Sequence, residues 1–338
     1  MPAPVPERAS GRAAPGRRIA TVGRVRAVVH DRYGPPDVLR LEDLPVPAPA
    51  AGQVLIRVAA TSINLSDWET LRGTPFYSRL GGLRAPARPV LGSDIAGRVE
   101  ATGPGVTRFR AGDEVYGDNL ALKGGFAEYA VAPERMLAHK PPELGFAEAS
   151  TIPQAGVIAM QGVAGARPGQ RVLINGAGGG SGAFAIQLAK AAGAEVTGVD
   201  NGDKLDFMRT VGADHVIDYR RDDFTRTGPY DLILDLVAHR SVLAYRRAVA
   251  PGGRYRCVGG STRTLLRVLA LGRLTGRRLG VLAVKPGPAH FTPVADRCVA
   301  GDLAVHIDRT FTLDQVPAAL EHVGAGRALG KVVIIPRP

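Results

Sequence analysis

The sequence contains little cysteine, few aromatic residues and no long hydrophobic run. Its two cysteines, Cys257 and Cys298, exclude a disulfide framework and a four-thiolate zinc site. No apolar stretch reaches the roughly 18 residues that a membrane helix needs, because arginines interrupt the most apolar region, 265–284. These absences predict a cytoplasmic protein in a reducing setting, with no membrane span.

Positive charge is concentrated in two segments. The 338-residue chain has a formal net charge of +12. Residues 1–26 hold six arginines and one glutamate, and residues 254–285 hold seven arginines, one lysine and no acid, so the remainder is near neutral. Aromatic residues make up 5% of the chain and no recognised motif accompanies the arginines, so we predict no nucleic-acid partner. The Pro- and Arg-rich residues 1–24 are predicted to be a disordered extension.

The pattern of apolar residues changes near residue 145. Before it, short alternating segments separated by Gly and Pro predict strands, among them 53–60, 95–101 and 126–131. After it, strands alternate with helices, which is typical of parallel βαβ units. The chain length is that of about two domains. The basic segment 262–285 is predicted to form a pair of covering helices with solvated arginines.

A glycine-rich loop joins a buried-type strand to an amphipathic helix. The loop has the spacing Ala177-x-Gly179-x-x-Gly182, a variant of the dinucleotide fingerprint. Small residues let the backbone approach a pyrophosphate, and the helix N-terminus offers free N–H groups to it. The alternative is an ordinary glycine-rich turn, but strand, loop, helix and second strand all follow in order. We therefore predict a dinucleotide site, and its residues are Ala177, Gly179, Gly180, Ser181, Gly182 and, at the end of a later strand, Gly259.

An acidic residue ends the second strand of this unit. Asp200 lies 18 residues after Gly182, where a carboxylate can bond to a ribose hydroxyl. The same carboxylate would repel a 2′-phosphate. Asp200 therefore favours NADH over NADPH.

Several stretches, in order along the chain, resemble the medium-chain dehydrogenase/reductase superfamily, and most closely its zinc-independent quinone-reductase-like branch. These stretches are 29–68, 88–117, 124–131, 167–196, 212–219 and 330–336. The resemblance implies an α/β fold in which a Rossmann dinucleotide-binding domain is inserted in a GroES-like β-rich domain. It implies a GroES-like catalytic domain at 25–145, a Rossmann cofactor domain at 146–295 and a return to the catalytic domain at 296–338. It also implies a homodimer.

The resemblance bears on the cofactor in two ways. Lys204 and Tyr219 are at positions similar to the pair that grips the 2′-phosphate in NADPH-using quinone reductases. Alternatively, Lys204 is an exposed helix residue and Tyr219 packs beside the adenine. Because Asp200 opposes a phosphate, we predict NADH or dual use of NADH and NADPH.

Zinc is not expected. The zinc-dependent relatives carry a Cys in the segment that corresponds to 62–67, and a His-Glu pair where this chain has Ser93-Asp94. Soft and imidazole ligands are therefore missing at the places where the family binds the metal. The scattered histidines, including His30, His139 and His290, are expected at the surface rather than as ligands.

Three residues are candidates for the reacting end. Asn64 matches a family residue near the nicotinamide and Asp67 a nearby acid, although both could make only turn hydrogen bonds. Tyr77 lies in a loop that could line the cleft and donate a proton or hydrogen bond, or could simply pack. Ile158 stands where the family often has Thr, which makes the pocket more apolar.

The sequence leaves three functional hypotheses. The first is a zinc-independent NAD(P)H-dependent oxidoreductase that transfers hydride to an enone or quinone-type carbonyl substrate, a small molecule. The second is a zinc-independent alcohol dehydrogenase or aldehyde reductase. The third is a non-catalytic NAD(P)H-binding interaction protein, for which the basic segment leaves room.

Overall fold

The first part of the chain is rich in β-strands in the structure, a computed structural model that describes residues 23–274 and 278–337. Along β3, Val54, Leu55, Ile56 and Val58 are buried and Arg57 is exposed, so most of this strand lies inside the core. β3 pairs antiparallel with β4 and β6. The elements of this part are β1 (Arg24–Val29), β2 (Arg40–Pro45), β3 (Gln53–Ser62), α1 (Leu65–Arg72), β4 (Asp94–Thr102), β5 (Glu114–Asp118), β6 (Tyr129–Pro133), β7 (Leu137–His139), α2 (Phe146–Thr151) and α3 (Pro153–Gly162).

The second part is a parallel sheet covered by helices. Within the described ranges the strand order is β10-β9-β8-β11-β12-β13. β9 lies on one side of β8 and β11 on the other. The connections from β8 therefore diverge at this point, and a crevice opens at the carboxyl ends of these strands. The elements are β8 (Arg171–Asn175), α4 (Gly180–Ala191), β9 (Glu195–Asp200), α5 (Leu205–Val211), β10 (His215–Asp218), β11 (Tyr230–Asp235), α6 (Val242–Ala248), β12 (Val249–Cys257), α7 (Thr262–Leu274), β13 (Arg278–Val281) and α8 (Pro288–Val299).

The carboxyl-terminal segment returns to the first sheet. It consists of β14 (Ile307–Thr312), α9 (Val316–Gly324) and β15 (Lys331–Ile335). β15 pairs antiparallel with β3 and parallel with β14. Just before β15, the N–H of Gly330 donates to the carbonyl of Gly178 over 3.0 Å, so the returning chain touches the glycine loop.

The structure confirms the predicted α/β architecture and corrects one element. Within the segment 262–285, Arg278–Val281 is not part of a second helix but strand β13, which pairs with Arg254–Cys257 of β12. The open edge of β12 offers backbone hydrogen bonds that a second helix would leave unmade. Of the predicted disordered extension, residues 1–22 lie outside the described residues. None of the described helices is long and apolar enough to cross a membrane.

Candidate active site

A cleft of about 630 Å³ separates the glycine loop from the β-rich part. Its walls come from both parts of the chain and from the segment around Gly330. Among the residues predicted for the site, those that line the cleft are Asn64, Ile158, Gly179, Gly180, Ser181, Gly182, Asp200, Lys204, Tyr219 and Gly259. The structure therefore brings most of the predicted residues together, whereas Asp67, Tyr77 and Ala177 are not part of this lining.

The glycine loop forms a tight cradle at the start of α4. A Cβ on Gly182 would lie 2.5 Å from the Cα of Ala177, so a larger residue there would push the helix off the strand. At Gly179 the nearest atom to such a Cβ is the carbonyl oxygen of Gly176, at 3.6 Å, so this position is open towards the cleft. Ala177 is fully buried beneath the loop. An open position at a helix N-terminus fits the pyrophosphate of a dinucleotide.

The carboxylate of Asp200 is already engaged by the loop. One oxygen accepts the N–H of Gly178 over 3.0 Å, and the other accepts the N–H of Asn201 over 2.9 Å. The ammonium of Lys204 lies 3.6 Å from the first oxygen, and both side chains are largely buried. Asp200 therefore holds the loop in place, with its charge balanced by Lys204.

The outer end of the cleft is aromatic and basic. Tyr219 and His239 contact each other edge-on, with ring centroids 5.7 Å apart. The exposed guanidinium of Arg220 lies 5.8 Å from the centre of the Tyr219 ring. All three residues line the cleft. A flat aromatic ring and a cation beside Asp200 suit the adenosine end of a dinucleotide.

At the opposite end, Asn64 is held between a buried ammonium and a buried carboxyl group. The ammonium of Lys331 donates to its Oδ1 over 2.6 Å and to the carbonyl of Ile63 over 3.0 Å. The Nδ2 of Asn64 donates to Asp94 over 2.9 Å. The bonds to Lys331 and Asp94 fix the orientation of the Asn64 amide at the wall of the cleft.

Burial dominates the electrostatics behind Asn64. Loss of solvent raises the pKa of Asp94 to about 8, although the nearby ammonium of Lys331 opposes that shift. The same loss of solvent lowers the pKa of Lys331. The two charged atoms lie 3.9 Å apart. Gln154 joins this group, because its backbone N–H donates to Asp94 over 3.2 Å and its side chain donates to Asp118 over the same distance.

Asp67 supports the backbone around Asn64 instead of facing the cleft. Its carboxylate is fully buried and accepts the backbone N–H groups of Asn64, at 3.0 Å, and of Gly92, at 3.2 Å. The ammonium of Lys123 lies 3.5 Å away. The first of these bonds caps α1 and sets the backbone of Asn64.

Tyr77 lies close to the cleft beside an acid that the sequence analysis did not consider. Its hydroxyl donates to Glu69 Oε2 over 3.4 Å and lies 3.8 Å from where a Cβ on Gly259 would be. Glu69 itself lines the cleft. Burial raises the pKa of Glu69 to about 7, against the opposing hydrogen bond from Tyr77. Burial, followed by the charge of Glu69, raises the pKa of Tyr77 to about 12.

A second buried acid, also missed, supports the cleft wall beside the glycine loop. Asp235, at the end of β11, accepts Asn175 Nδ2 over 2.8 Å and the hydroxyl of Tyr255 over 2.7 Å. It also accepts the N–H of Ala238, whose φ of 53° is in the left-handed region. The loop after β11 is thus held against the cleft. The sequence signal that could have identified Asp235 is an acidic residue at the end of a central strand.

The donor set does not fit a zinc ion. In the described part of the chain, no three His, Cys, Asp or Glu side chains converge as a metal site would need. Cys257 is buried in the sheet and Cys298 is a separate free thiol on α8.

One expectation about the histidines is wrong, since His30 is buried rather than at the surface. His139 is exposed and His290 is half-buried.

Comparisons with known proteins decide the family. Residues 50–142 match the alcohol dehydrogenase GroES-like domain, and residues 211–334 match the zinc-binding dehydrogenase domain. A chloroplastic quinone-oxidoreductase QR1 of Triphysaria versicolor is 31% identical over 92% of this chain and 98% of its own length. The 2-methylene-furan-3-one reductase of Solanum lycopersicum is 33% identical over 95% of this chain and 81% of its own length. This chain belongs to the medium-chain dehydrogenase/reductase superfamily.

Within that superfamily it belongs to the quinone-oxidoreductase-like branch, as the resemblance implied. The quinone oxidoreductase of Coxiella burnetii superposes with a TM-score of 0.85 at 29% identity, covering 93% of this chain and all of that one. The medium-chain dehydrogenase/reductase proteins are an NAD(P)-dependent oxidoreductase family, so the prediction of an enzyme is confirmed. The cytoplasmic location remains a prediction, because the relatives include chloroplastic proteins. The homodimer remains a prediction as well.

Proposed function

We propose that this enzyme transfers hydride from NAD(P)H to an enone or quinone-type carbonyl substrate without zinc. The observation that supports the proposal is one continuous cleft that runs from the glycine loop to Asn64 and Glu69. Between these ends the wall is apolar and includes Ile63, Ile158 and Val258. The names of the two relatives, a quinone oxidoreductase and a furanone reductase, point to the same substrate class.

The residues of the chain have separate tasks in this proposal. NAD(P)H, when bound, supplies the hydride from its nicotinamide ring. Gly179, Gly180 and Ser181 hold the pyrophosphate through the helix N-terminus. The apolar wall excludes water from the reacting end. Asn64, fixed by Lys331 and Asp94, orients the substrate carbonyl by a hydrogen bond as negative charge develops on its oxygen.

Turnover assays test the reaction and the independence from zinc together. We expect the purified protein to oxidise NADH or NADPH when given an enone or a quinone. With an enone, deuterium should pass to the product from only one of the two stereospecifically C4-deuterated forms of the cofactor. With an enone, the saturated ketone should be the product, because the hydride is added to the carbon–carbon double bond; an allylic alcohol would indicate the aldehyde-reductase alternative. The rate should be unchanged after dialysis against a zinc chelator.

Two results would contradict the proposal. Loss of activity on chelation with recovery on added zinc would overturn zinc independence. No turnover with enones, quinones or aldehydes would overturn the reductase assignment and would favour a protein that binds NAD(P)H without chemistry.

We further propose that the adenosine end accepts NADPH as well as NADH, with NADPH preferred. Asp200 alone favours NADH, but both of its oxygens accept N–H groups of the protein. Its negative charge is compensated by Lys204 at 3.6 Å. Arg220 adds a second cation that is exposed on the cleft wall. This arrangement removes the repulsion that a bare carboxylate would exert on a 2′-phosphate.

The variant Arg220→Gln should weaken NADPH binding by about tenfold, because a charge-assisted bond to phosphate contributes roughly 1.5 kcal/mol. The affinity for NADH should change less than about twofold, because NADH has no 2′-phosphate for Arg220 to bind. Fluorescence titration with each cofactor measures both constants. Arg221→Gln is the matched control, since Arg221 is exposed and pairs with Asp218 at 3.7 Å, outside the cleft lining. Equal losses of NADH and NADPH affinity would argue against phosphate recognition by Arg220.

A further inference from the structure

Glu69 is an acid in the cleft wall for which the proposed hydride transfer has no task. It lies on α1, two residues after the buried Asp67 and five after Asn64. Its side chain is half-buried and lines the same cleft as Gly179 and Asn64. Among the described residues no Lys, Arg or His forms an ion pair with it, in contrast to Asp94 and Asp200. An acid that is buried in a cleft with no cation beside it has a higher pKa than the same acid in water.

The partner of Glu69 is the hydroxyl of Tyr77. The two groups are 3.4 Å apart, and Tyr77 belongs to the short 3-10 helix Phe76–Arg79 that packs on α1. The Tyr77 hydroxyl also lies near Gly259, on the cofactor wall. The acid and the phenol therefore meet at the place where the β-rich part faces the end of β12.

Other charged groups on the elements that pack against α1 are engaged elsewhere. Arg79 donates to the carbonyl of Gly73 and lies over the ring of Tyr33. On α1 itself, Arg72 stacks on Trp68. On α9, which also packs against α1, His322 bonds to Asp308 over 2.6 Å and Glu321 is exposed. Burial raises the pKa of the Cys257 thiol to about 11, so this thiol is neutral near pH 7.

Burial in this setting raises the pKa of Glu69 to about 7. A general acid is most effective when its pKa is near the working pH, because enough of it is protonated and it still gives up its proton readily. Tyr77, whose pKa is raised to about 12, holds its proton more tightly. Glu69 is therefore the better acid of the two, and Tyr77 is placed to orient it.

We propose that Glu69 is the proton donor of this enzyme and that Tyr77 positions its carboxyl group. The proposal rests on the hydride transfer proposed above. The C–H bond at C4 of the dihydronicotinamide breaks and a C–H bond forms at the β-carbon of the enone, which leaves an enolate and the oxidised nicotinamide. The O–H bond of Glu69 then breaks, its proton passes to the enolate and completes the reduced carbonyl compound, and water reprotonates the carboxylate.

The direct test is the pH dependence of kcat/KM for enone reduction by the wild type and by Glu69→Gln. The amide keeps the size of the side chain and an acceptor for Tyr77 but has no proton to give. In the wild type, activity should fall as pH rises through about 7, because the carboxyl loses the proton that it donates. Glu69→Gln should be slower at pH 6 by on the order of a hundredfold, the usual contribution of a general acid, and flat with pH.

Three controls separate proton donation from a structural role. Glu321→Gln, on the exposed face of α9, should behave as the wild type. Fluorescence titration should give the same NAD(P)H affinity for Glu69→Gln as for the wild type, so that the loss is in kcat rather than in cofactor binding. Tyr77→Phe should retain the pH dependence with a shifted midpoint, because the carboxyl is still present but loses its hydrogen bond.

Several results would overturn the proposal. If Glu69→Gln keeps the activity and pH profile of the wild type, Glu69 is not the donor. If Tyr77→Phe abolishes the pH dependence while Glu69→Gln does not, the phenol is the donor instead. If the wild type reduces no enone or quinone, the proposed function itself fails and the proton-donor role falls with it. Titration of glutamate carboxyl ¹³C signals, which needs no turnover, should show a resonance with a midpoint near 7 that disappears in Glu69→Gln.

Discussion

Gly179→Asp should abolish binding of NADH and NADPH while leaving the fold intact. Position 179 is the N-cap residue of α4, and a Cβ added there would have no atom nearer than 3.6 Å. Its φ of −90° and extended ψ suit any residue, and Asp is a favoured N-cap. The new carboxylate would therefore fit the protein without strain but would lie beside the negatively charged pyrophosphate.

The size of this effect follows from Coulomb repulsion. Two unit charges about 4 Å apart interact by roughly 4 kcal/mol in a surface environment, which corresponds to about a thousandfold loss of affinity. Fluorescence titration with each cofactor measures the loss. Gly179→Asn is the matched control, since it has the same shape without the charge and should weaken binding far less. Equal losses for Asn and Asp would mean that bulk, and not charge, blocks the site.

At about pH 9, above the pKa of Asp94, Lys331→Met should destabilise the protein by about 3–5 kcal/mol, the usual cost of removing one partner of a buried ion pair. The side chain of Lys331 is 4% exposed and that of Asp94 is fully buried. Without the ammonium, Asp94 must either remain charged without a cation or bind a proton. Denaturant titration measures the free energy of unfolding. Enone reduction should fall too, because the ammonium no longer holds the Asn64 amide.

The pH dependence of this variant has a definite sign. Burial already raises the pKa of Asp94 to about 8, and the loss of Lys331 removes the main effect that opposes this shift. An acid whose pKa is higher in the folded than in the unfolded protein loses stability as pH rises. In the wild type this loss stops once the pH passes about 8, whereas in Lys331→Met it continues to higher pH, so the penalty should be smaller at about pH 7 than at about pH 9.

Two further variants identify the cause of the stability loss in Lys331→Met. Adding Asp94→Asn to Lys331→Met should recover part of the lost stability, because neither position 94 nor position 331 then holds a buried charge. Lys190→Met removes an ammonium that pairs with Asp214 at 2.7 Å but is 36% exposed, and should cost less than about 1 kcal/mol. An equal cost for Lys190→Met and Lys331→Met, or a penalty independent of pH, would refute the account of Asp94.

The cofactor loop was predictable because its geometry is local. Gly179 and Gly182 are three residues apart, and the need for small residues there comes from one turn between β8 and α4. Asp200 was placed correctly beside this loop. Its bonding was not predicted, because a sequence does not show that both oxygens accept protein N–H groups. The prediction for the basic segment 262–285 was half wrong, since an arginine-rich apolar run is compatible with a helix and with the edge strand β13.

By itself the sequence determined the strand-loop-helix unit of the cofactor loop, the order of the βαβ units and the absence of cysteine and histidine at the family's zinc positions. These features depend on residues close together in the chain. Only the tertiary structure decided what surrounds the reacting end. Lys331 bonds to Asn64 from 267 residues away. Glu69 is a candidate acid because the fold half-buries it in the cleft beside Tyr77 and no cation among the described residues pairs with it. Burial and charge pairing determine these properties, and both arise from contacts between distant parts of the chain.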